Sequence, residues 1–295
     1  MKKLPLTSAF ILSLVVTAPS QVFLNELLFN PVGTDGPNEY FELRGTSGLS
    51  LAGYYLLGVE GDIASNPGDV QNIFDLGTFS LGANGYLVGF QKGTLYTGVS
   101  PSANSFVNAG TGAGWGSGAS SDIGHSADSG ATDAENASAT YMLVNIGAGA
   151  APILTLDLDA DDNGTIELPT GWSILDSVGV TDAATDISYG AITFRATGLG
   201  VASGTIVDLT YGTGSYFLAR KGDSIGSTVD DWVEGSTSGT APGFTFHATE
   251  VTDPSFAGRP LSEMGLGSTN PVPEPSTFVM GGLGLAALIF LRRRK

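Results

Sequence analysis

QVFLNELLFNPVGTDGPNEYFELRGTSGLSLAGYYLLG, residues 21–58, is the stretch whose reading decides the fold class. Short apolar runs surround Leu24-Asn25-Glu26, fill Glu39-Tyr40-Phe41-Glu42-Leu43 and restart at Leu51-Ala52-Gly53-Tyr54. Each is too short for a helix and rich in aromatic and branched side chains, which is the pattern of β-strands. Asn30-Pro31 leads from the first run into a polar loop, because proline fixes its own φ and donates no hydrogen bond. The same alternation recurs in GYLVGF (85–90), TYMLVN (140–145), ILTLDLD (153–159), SILDSVGV (173–180), AITFRA (191–196) and YFLARK (216–221). Gly, Asn, Asp or Pro separates most of these runs, and long helical periodicity is absent. An all-β domain of sandwich or barrel type is expected. The Gly/Ser-rich stretch 110–140 has no such pattern and is expected to be a long, partly disordered surface insertion.

The two ends of the sequence read as addresses rather than as fold. Lys2 and Lys3 precede an apolar stretch, Leu4–Val16, and Ala18 and Ser20 stand at −3 and −1 of a cut before Gln21. Residues 1–20 are therefore expected to be a secretory signal peptide handled by the Sec translocation machinery. At the other end, Pro273-Glu274-Pro275 stays extended because each proline disfavours helix in the residue before it. An uncharged run of 14 residues follows, Phe278–Leu291, and then Arg292, Arg293, Arg294 and Lys295. The run is short for a span of about 20 residues but can borrow its neighbours and snorkelling arginines. The cations would hold that end on the cytoplasmic side. This order of parts, over 272–295, resembles the PEP-CTERM sorting signal of bacterial envelope proteins. The resemblance implies that an exosortase, a membrane transpeptidase-like cysteine protease, cuts near the tripeptide. The chain would be its substrate, held only transiently in the inner membrane and then released to the envelope or beyond.

Between these signals the opening stretch is similar to the lamin-tail domain of secreted bacterial proteins, and FSLGANGYLVGF, ATYMLVN, SILDSVGV and FLARKGDS follow in fitting order. The resemblance implies an immunoglobulin-like β-sandwich over 21–250, acting as a binding or linking module, with 251–271 as a linker to the sorting signal. Family members usually have Asn after the second strand motif, whereas Arg44 is followed here by Gly45.

Charge narrows the function classes. Without residues 1–20 and 276–295, six cations (Arg44, Lys92, Arg195, Arg220, Lys221 and Arg259) face 29 acids, a balance of −23. That field repels phosphate backbones, so nucleic acid is not an expected partner. The absence of cysteine excludes disulfides, thiolate metal sites and thiol nucleophiles.

One loop has metal-ligand spacing. In TLDLDADDNGTIELPTGW (155–172), Asp159, Asp161 and Asn163 alternate before Gly164, with the Thr165 carbonyl and Glu167 next in order. Alternate oxygens can converge on calcium, as in the first half of an EF-hand loop. Thr170 occupies the place of the closing bidentate Glu, so affinity would be weak, about 10⁻⁴–10⁻³ M. The competing structure is a β-hairpin with an Asn163-Gly164 tip.

Three function classes follow. The first is a non-enzymatic envelope or matrix protein with Glu26 and Glu42 in structural roles, facing solvent or bonding loop amides. The second is an exopolysaccharide-binding module using Trp115, Trp172, Tyr54 or Tyr55 as sugar platforms, although core packing is the commoner use of such rings. The third, a metal-dependent hydrolase, has only paired acids to support it and lacks a recognisable nucleophile or zinc motif.

Overall fold

In the computed structural model the described residues are 21–108, 114–115, 125–126, 133–134, 138–212 and 216–272. The expected signal peptide, residues 1–20, and the expected sorting-signal residues Pro273, Glu274, Pro275, Arg292, Arg293 and Arg294 lie outside them. Among the described residues no helix is long and apolar enough to cross a membrane.

Two seven-stranded sheets make the body. The first contains β1 (Val22–Leu28), β2 (Tyr40–Gly45), β5 (Tyr86–Phe90), β6 (Asn104–Val107), β14 (Tyr216–Arg220), β15 (Trp232–Ser238) and β16 (Thr245–Val251). The second contains β3 (Tyr54–Glu60), β4 (Val70–Asp75), β7 (His125–Ser126), β8 (Ala139–Asn145), β9 (Ser173–Thr181), β11 (Ile192–Ala196) and β13 (Thr205–Leu209). Spatial order is β16-β15-β14-β1-β2-β5-β6 in the first sheet and β13-β11-β9-β8-β3-β4-β7 in the second. A small parallel pair, β10 (Ile187–Ser188) with β12 (Val201–Ala202), stands beside them.

The inner faces share one core. Leu24, Phe41, Leu43 and Leu218 of the first sheet pack with Leu56, Phe74, Leu143, Val178 and Phe194 of the second. Removing such side chains from water is worth about 1.5–3 kcal/mol each. Arg220 crosses the core to Asp176 at 2.6 Å, and Asp176 also accepts from the Leu24 amide at 2.9 Å. The guanidinium lies 4.4 Å from the Trp232 ring centroid, so a buried cation sits between a carboxylate and a π face.

The all-β expectation holds, since two short 3₁₀ turns, Pro254–Phe256 and Leu261–Glu263, are the only helix among the described residues. An immunoglobulin-like strand order is not established by this topology. That sandwich is antiparallel, whereas β5–β6, β9–β11 and β11–β13 pair in parallel. From β9 to β13 the chain winds like a short β-solenoid. Val178 stands beside Ile192 and Ile192 beside Thr205, while Ile187 stands beside Val201, so each coil takes 13 or 14 residues.

Both outer faces are also covered. On the second sheet, Leu57, Val59, Met142 and Val144 meet Leu154, Leu156, Leu158, Ile166 and Leu168 of the 153–168 segment. That segment alternates Leu with Asp or Thr, as a strand would, yet only Asp157 forms a bridge, to Asp69. The competing hairpin ladder is therefore absent. The leucines turn to the sheet while Asp157, Asp161, Asp162 and Glu167 face solvent and Asp159 is buried, and the alternation arises from covering a sheet face.

On the first sheet, Phe256, Leu261 and Met264 are buried against Leu28, Val88, Phe90 and Phe217. This corrects the expectation of a linker at 251–271: the segment is a packed layer of the fold, and its packing continues to the buried Asn270. The expectation of a surface insertion is corrected in part as well. Trp115 is only 1% exposed and stacks among Phe41 and Phe74, at centroid distances of 5.8 and 5.0 Å.

Candidate functional site

The region most closely tied to the C-terminal signal is a buried polar pocket on the outer face of the first sheet. Its origin is a bulge. Leu24 pairs with Leu43, but Glu26 pairs with Glu42, so Asn25 is an extra residue in β1. An extra residue inverts the strand's facing. Leu24 and Leu27 therefore both point into the shared core, while Glu26 points outward with Leu28. On β2, whose alternation is unbroken, Phe41 and Leu43 point inward and Tyr40 and Glu42 outward.

Two carboxyl groups thus stand side by side, and residues 265–270 cover them. Both are fully buried at 0% exposure, which corrects the expectation that they might face solvent. The alternative part of that expectation, bonding to loop amides, holds for Glu42. Its Oε2 accepts from the Gly267 amide at 2.5 Å and its Oε1 from Asn25 Nδ2 at 2.7 Å. Gly267 has φ 73°, and a Cβ there would lie 2.6 Å from the Ala103 Cβ, so only glycine brings this amide so close. Glu26 Oε2 accepts from the Tyr40 hydroxyl at 2.8 Å.

Asn270 completes the closure. It is 2% exposed, donates to the Arg220 carbonyl at 2.8 Å and lies against Glu26. Around it, Asn84 Nδ2 donates to the Gly267 carbonyl at 2.7 Å, and Tyr86 and Thr269 hydroxyls meet at 3.0 Å.

Desolvation dominates the acid–base character of the pocket. Burial pushes Glu26 up to about 7, against the opposing effect of the Tyr40 and Asn270 hydrogen bonds. Burial first, then the neighbouring Glu26, holds Glu42 well above the usual carboxylate range. The Arg44 charge favours the ionised Glu42, but its guanidinium is directed to Asp223 at 3.1 Å and to the Ser224 carbonyl. The pocket therefore holds two acids with no cation bonded to either.

A third buried acid anchors the 110–140 stretch. Glu39 Oε2 accepts from Gln91 Nε2 at 2.6 Å, Trp115 Nε1 at 2.8 Å and the Ala134 amide at 2.9 Å. Burial raises its pKa well above normal, the Ala134 and Trp115 bonds pull it back, and Asp133 and Asp35 push it further up. Sequence reasoning missed this role. The one available signal was a tryptophan in an otherwise Gly/Ser-rich tract.

The acidic loop closes on itself. Asp159 is buried, and its carboxylate accepts from the Asn163 amide at 3.0 Å, the Gly164 amide at 2.8 Å and the Tyr189 hydroxyl at 2.8 Å. Gly164, at φ 84°, supplies the reversal. Asp161, Asn163, Thr165 and Glu167 are exposed, and Glu167 donates its amide to the Leu158 carbonyl at 2.6 Å. Among the described residues no three acidic or histidine side chains converge as a metal cage.

Of the suggested sugar platforms, Trp115 and Trp172 are buried, and Trp172 Nε1 donates to the Ala150 carbonyl at 2.9 Å. Tyr54 and Tyr55 are half-buried. A cleft of about 200 Å³ opens on the first-sheet side, lined by Tyr96, Thr97, Pro242 and Leu261 and sharing Tyr40, Gly265 and Leu266 with the covered acids.

Comparison with known proteins bears on the segment that follows Asn270. Residues 271–295 match a family model, the PEP-CTERM protein-sorting motif. The chain carries an exosortase sorting signal. The motif directly follows the packed layer, so the sorting signal starts one residue after the buried Asn270. Neither a curated protein nor a solved structure matches the chain.

Proposed function

We propose that the chain is a non-enzymatic exported envelope or matrix protein, whose lamin-tail-like β body is delivered by exosortase processing of the sorting motif. The observation that carries this reading is the motif match at 271–295, directly after the body's last packed residues. The paired opening strands β1 and β2, carrying Leu24-Asn25-Glu26 and Glu39–Leu43, favour the lamin-tail relation because they are the residues of that resemblance. Supporting the non-enzymatic part, the buried acids Glu26, Glu39 and Glu42 bond to amides and side chains of their own fold. The experiment is expression with and without an active exosortase. C-terminal trimming should occur only with the enzyme, and identical C-termini in both cells would reject the reading.

For the acidic loop we propose a structural role, with Asp159 closing the turn through its own amides. Calcium would enter at the exposed rim of Asp161, Asn163, the Thr165 carbonyl and Glu167, and a melting comparison in chelator and calcium tests it. Exopolysaccharide binding is the second reading, and the cleft beside Tyr96 favours it. The half-buried Tyr96 ring lining this cleft suits a single sugar better than the buried tryptophans do.

A further inference from the structure

We propose that Glu26 and Glu42 form a proton-held clasp that ties residues 265–270 to the first sheet and loosens that segment when the pair loses its proton. The consequence for sorting rests on the reading given above, because the clasp closes directly ahead of residues 271–295. The clasp itself rests on the geometry of the buried pair and its cover, and the raised Glu26 carboxyl gives its direction.

Its parts come from three separated stretches. The β1 bulge supplies Glu26 and Asn25, β2 supplies Glu42 and Tyr40, and the last packed layer supplies the Gly267 amide and Asn270. The pocket is short of donors. Glu26 Oε1, Asn25 Oδ1 and Asn270 Oδ1 are all buried and accept no hydrogen bond from the described residues. A carboxylate adds another acceptor to this set, whereas a carboxylic acid adds a donor. Protonation supplies a donor and removes a buried negative charge, and relief of that burial outweighs the Tyr40, Asn25 and Gly267 bonds, which favour the ionised form.

The charged and titratable surroundings compensate only in part: Arg44 favours the ionised Glu42, but less than burial and Glu26 oppose it. From β2 come Tyr40 and Arg44, the latter bound to Asp223. From β5 comes Tyr86, bonded to Thr269. From β14 comes Arg220, whose side chain turns away to Asp176. The covering stretch Gly265–Val272 contains no ionisable side chain. Ionising the pair therefore leaves a buried charge whose simplest relief is water entry, and water can enter only by lifting the cover.

The sign follows from the raised carboxyl. Closure is complete below about 4.5, the ordinary value, and weakens as pH rises toward the folded value of about 7. Two and a half pK units allow up to about a 300-fold increase in the open:closed ratio, with no further change above that.

The chain has no cysteine, so a single introduced thiol can carry a spin label. Val272→Cys places the label on an exposed position beside the clasp, and Ile153→Cys, on the opposite outer face, reports global unfolding. The full chain in mild detergent is titrated from pH 4.5 to 8.5. The mobile fraction at 272 should rise through about pH 5–7 while the label at 153 stays unchanged. In Glu26→Gln/Glu42→Gln the rise should vanish, in Glu26→Gln it should shrink to the part that Glu42 carries, and in Asn270→Ala the label should be mobile at every pH. An equally immobile label at pH 4.5 and 8.5 overturns the clasp, as does a double Gln variant that follows the parent curve. Should the Gln variants not fold, the parent titration together with Asn270→Ala decides. C-terminal trimming is read separately by mass, so loss of the clasp and loss of the sorting reading are distinguishable.

Discussion

Glu234→Gln should remove much of the pH dependence of this fold, because Glu234 is a buried acid that prefers to be neutral. It lies on β15 at 1% exposure, and its Oε2 accepts from the Tyr211 hydroxyl. Burial pushes its carboxyl up to about 8, the Tyr211 bond opposes that, and nearby Glu250 adds to it. The unfolded chain should hold this acid at an ordinary 4.5, so the native state binds the extra proton between those limits. Its stabilisation is therefore complete below about 4.5 and is lost as pH rises toward 8. A shift of that size corresponds to an upper bound on the order of 5 kcal/mol, with a few kcal/mol expected once the native state relaxes. Glutamine keeps the shape and the acceptor oxygen but cannot ionise. In urea titrations at pH 4.5, 6 and 8.5, the variant should be equal to or less stable than the parent at the lowest pH and more stable at the highest. Tyr211→Phe should move the parent's transition to still higher pH, because the bond that favours the carboxylate is gone. A parent–variant difference that stays constant to within about 0.5 kcal/mol across that range refutes the reasoning.

Other expectations are narrower. Leu261→Ala, in the packed C-terminal layer, should cost about 2–5 kcal/mol, and a melting temperature unchanged from the parent would return 251–271 to the role of a linker. Trp115→Ala should cost about 3–5 kcal/mol and release the 110–140 stretch to protease, since it removes a core ring and a donor to Glu39; resistance equal to the parent's would contradict that anchor. Asp159→Ala should destabilise in chelator as much as in calcium, because two loop amides and the Tyr189 hydroxyl lose their acceptor; a loss seen only in calcium would make the site a metal centre.

How far the sequence reveals the structure depends on where each residue's partner lies. The strands β1, β2, β5, β8 and β14 are legible because their alternation is local, and it carries the β class with it. The Asn25 bulge is not legible: nothing in Leu24-Asn25-Glu26 announces an extra residue, yet that residue decides that Glu26 faces the C-terminal layer. The run from Ile153 to Asp159 shows the opposite failure. Its alternation is real, but one-sided burial on another sheet's face produces it without ladder pairing. Residues 251–271 look like a linker because glycine and polar residues separate Phe256, Leu261 and Met264, whose partners on β1, β5 and β14 are remote in sequence. The sorting motif was readable in full, since its chemistry resides in the order of local segments and needs no tertiary partner.

Intact-mass measurement of the protein recovered from the cell envelope and the medium tests the account most directly. The account predicts a chain that begins near Gln21 and ends near Pro273-Glu274-Pro275, with the β body retained through Asn270 and with trimming dependent on an active exosortase. Full-length chain that still carries Arg292–Lys295 outside the inner membrane would contradict it.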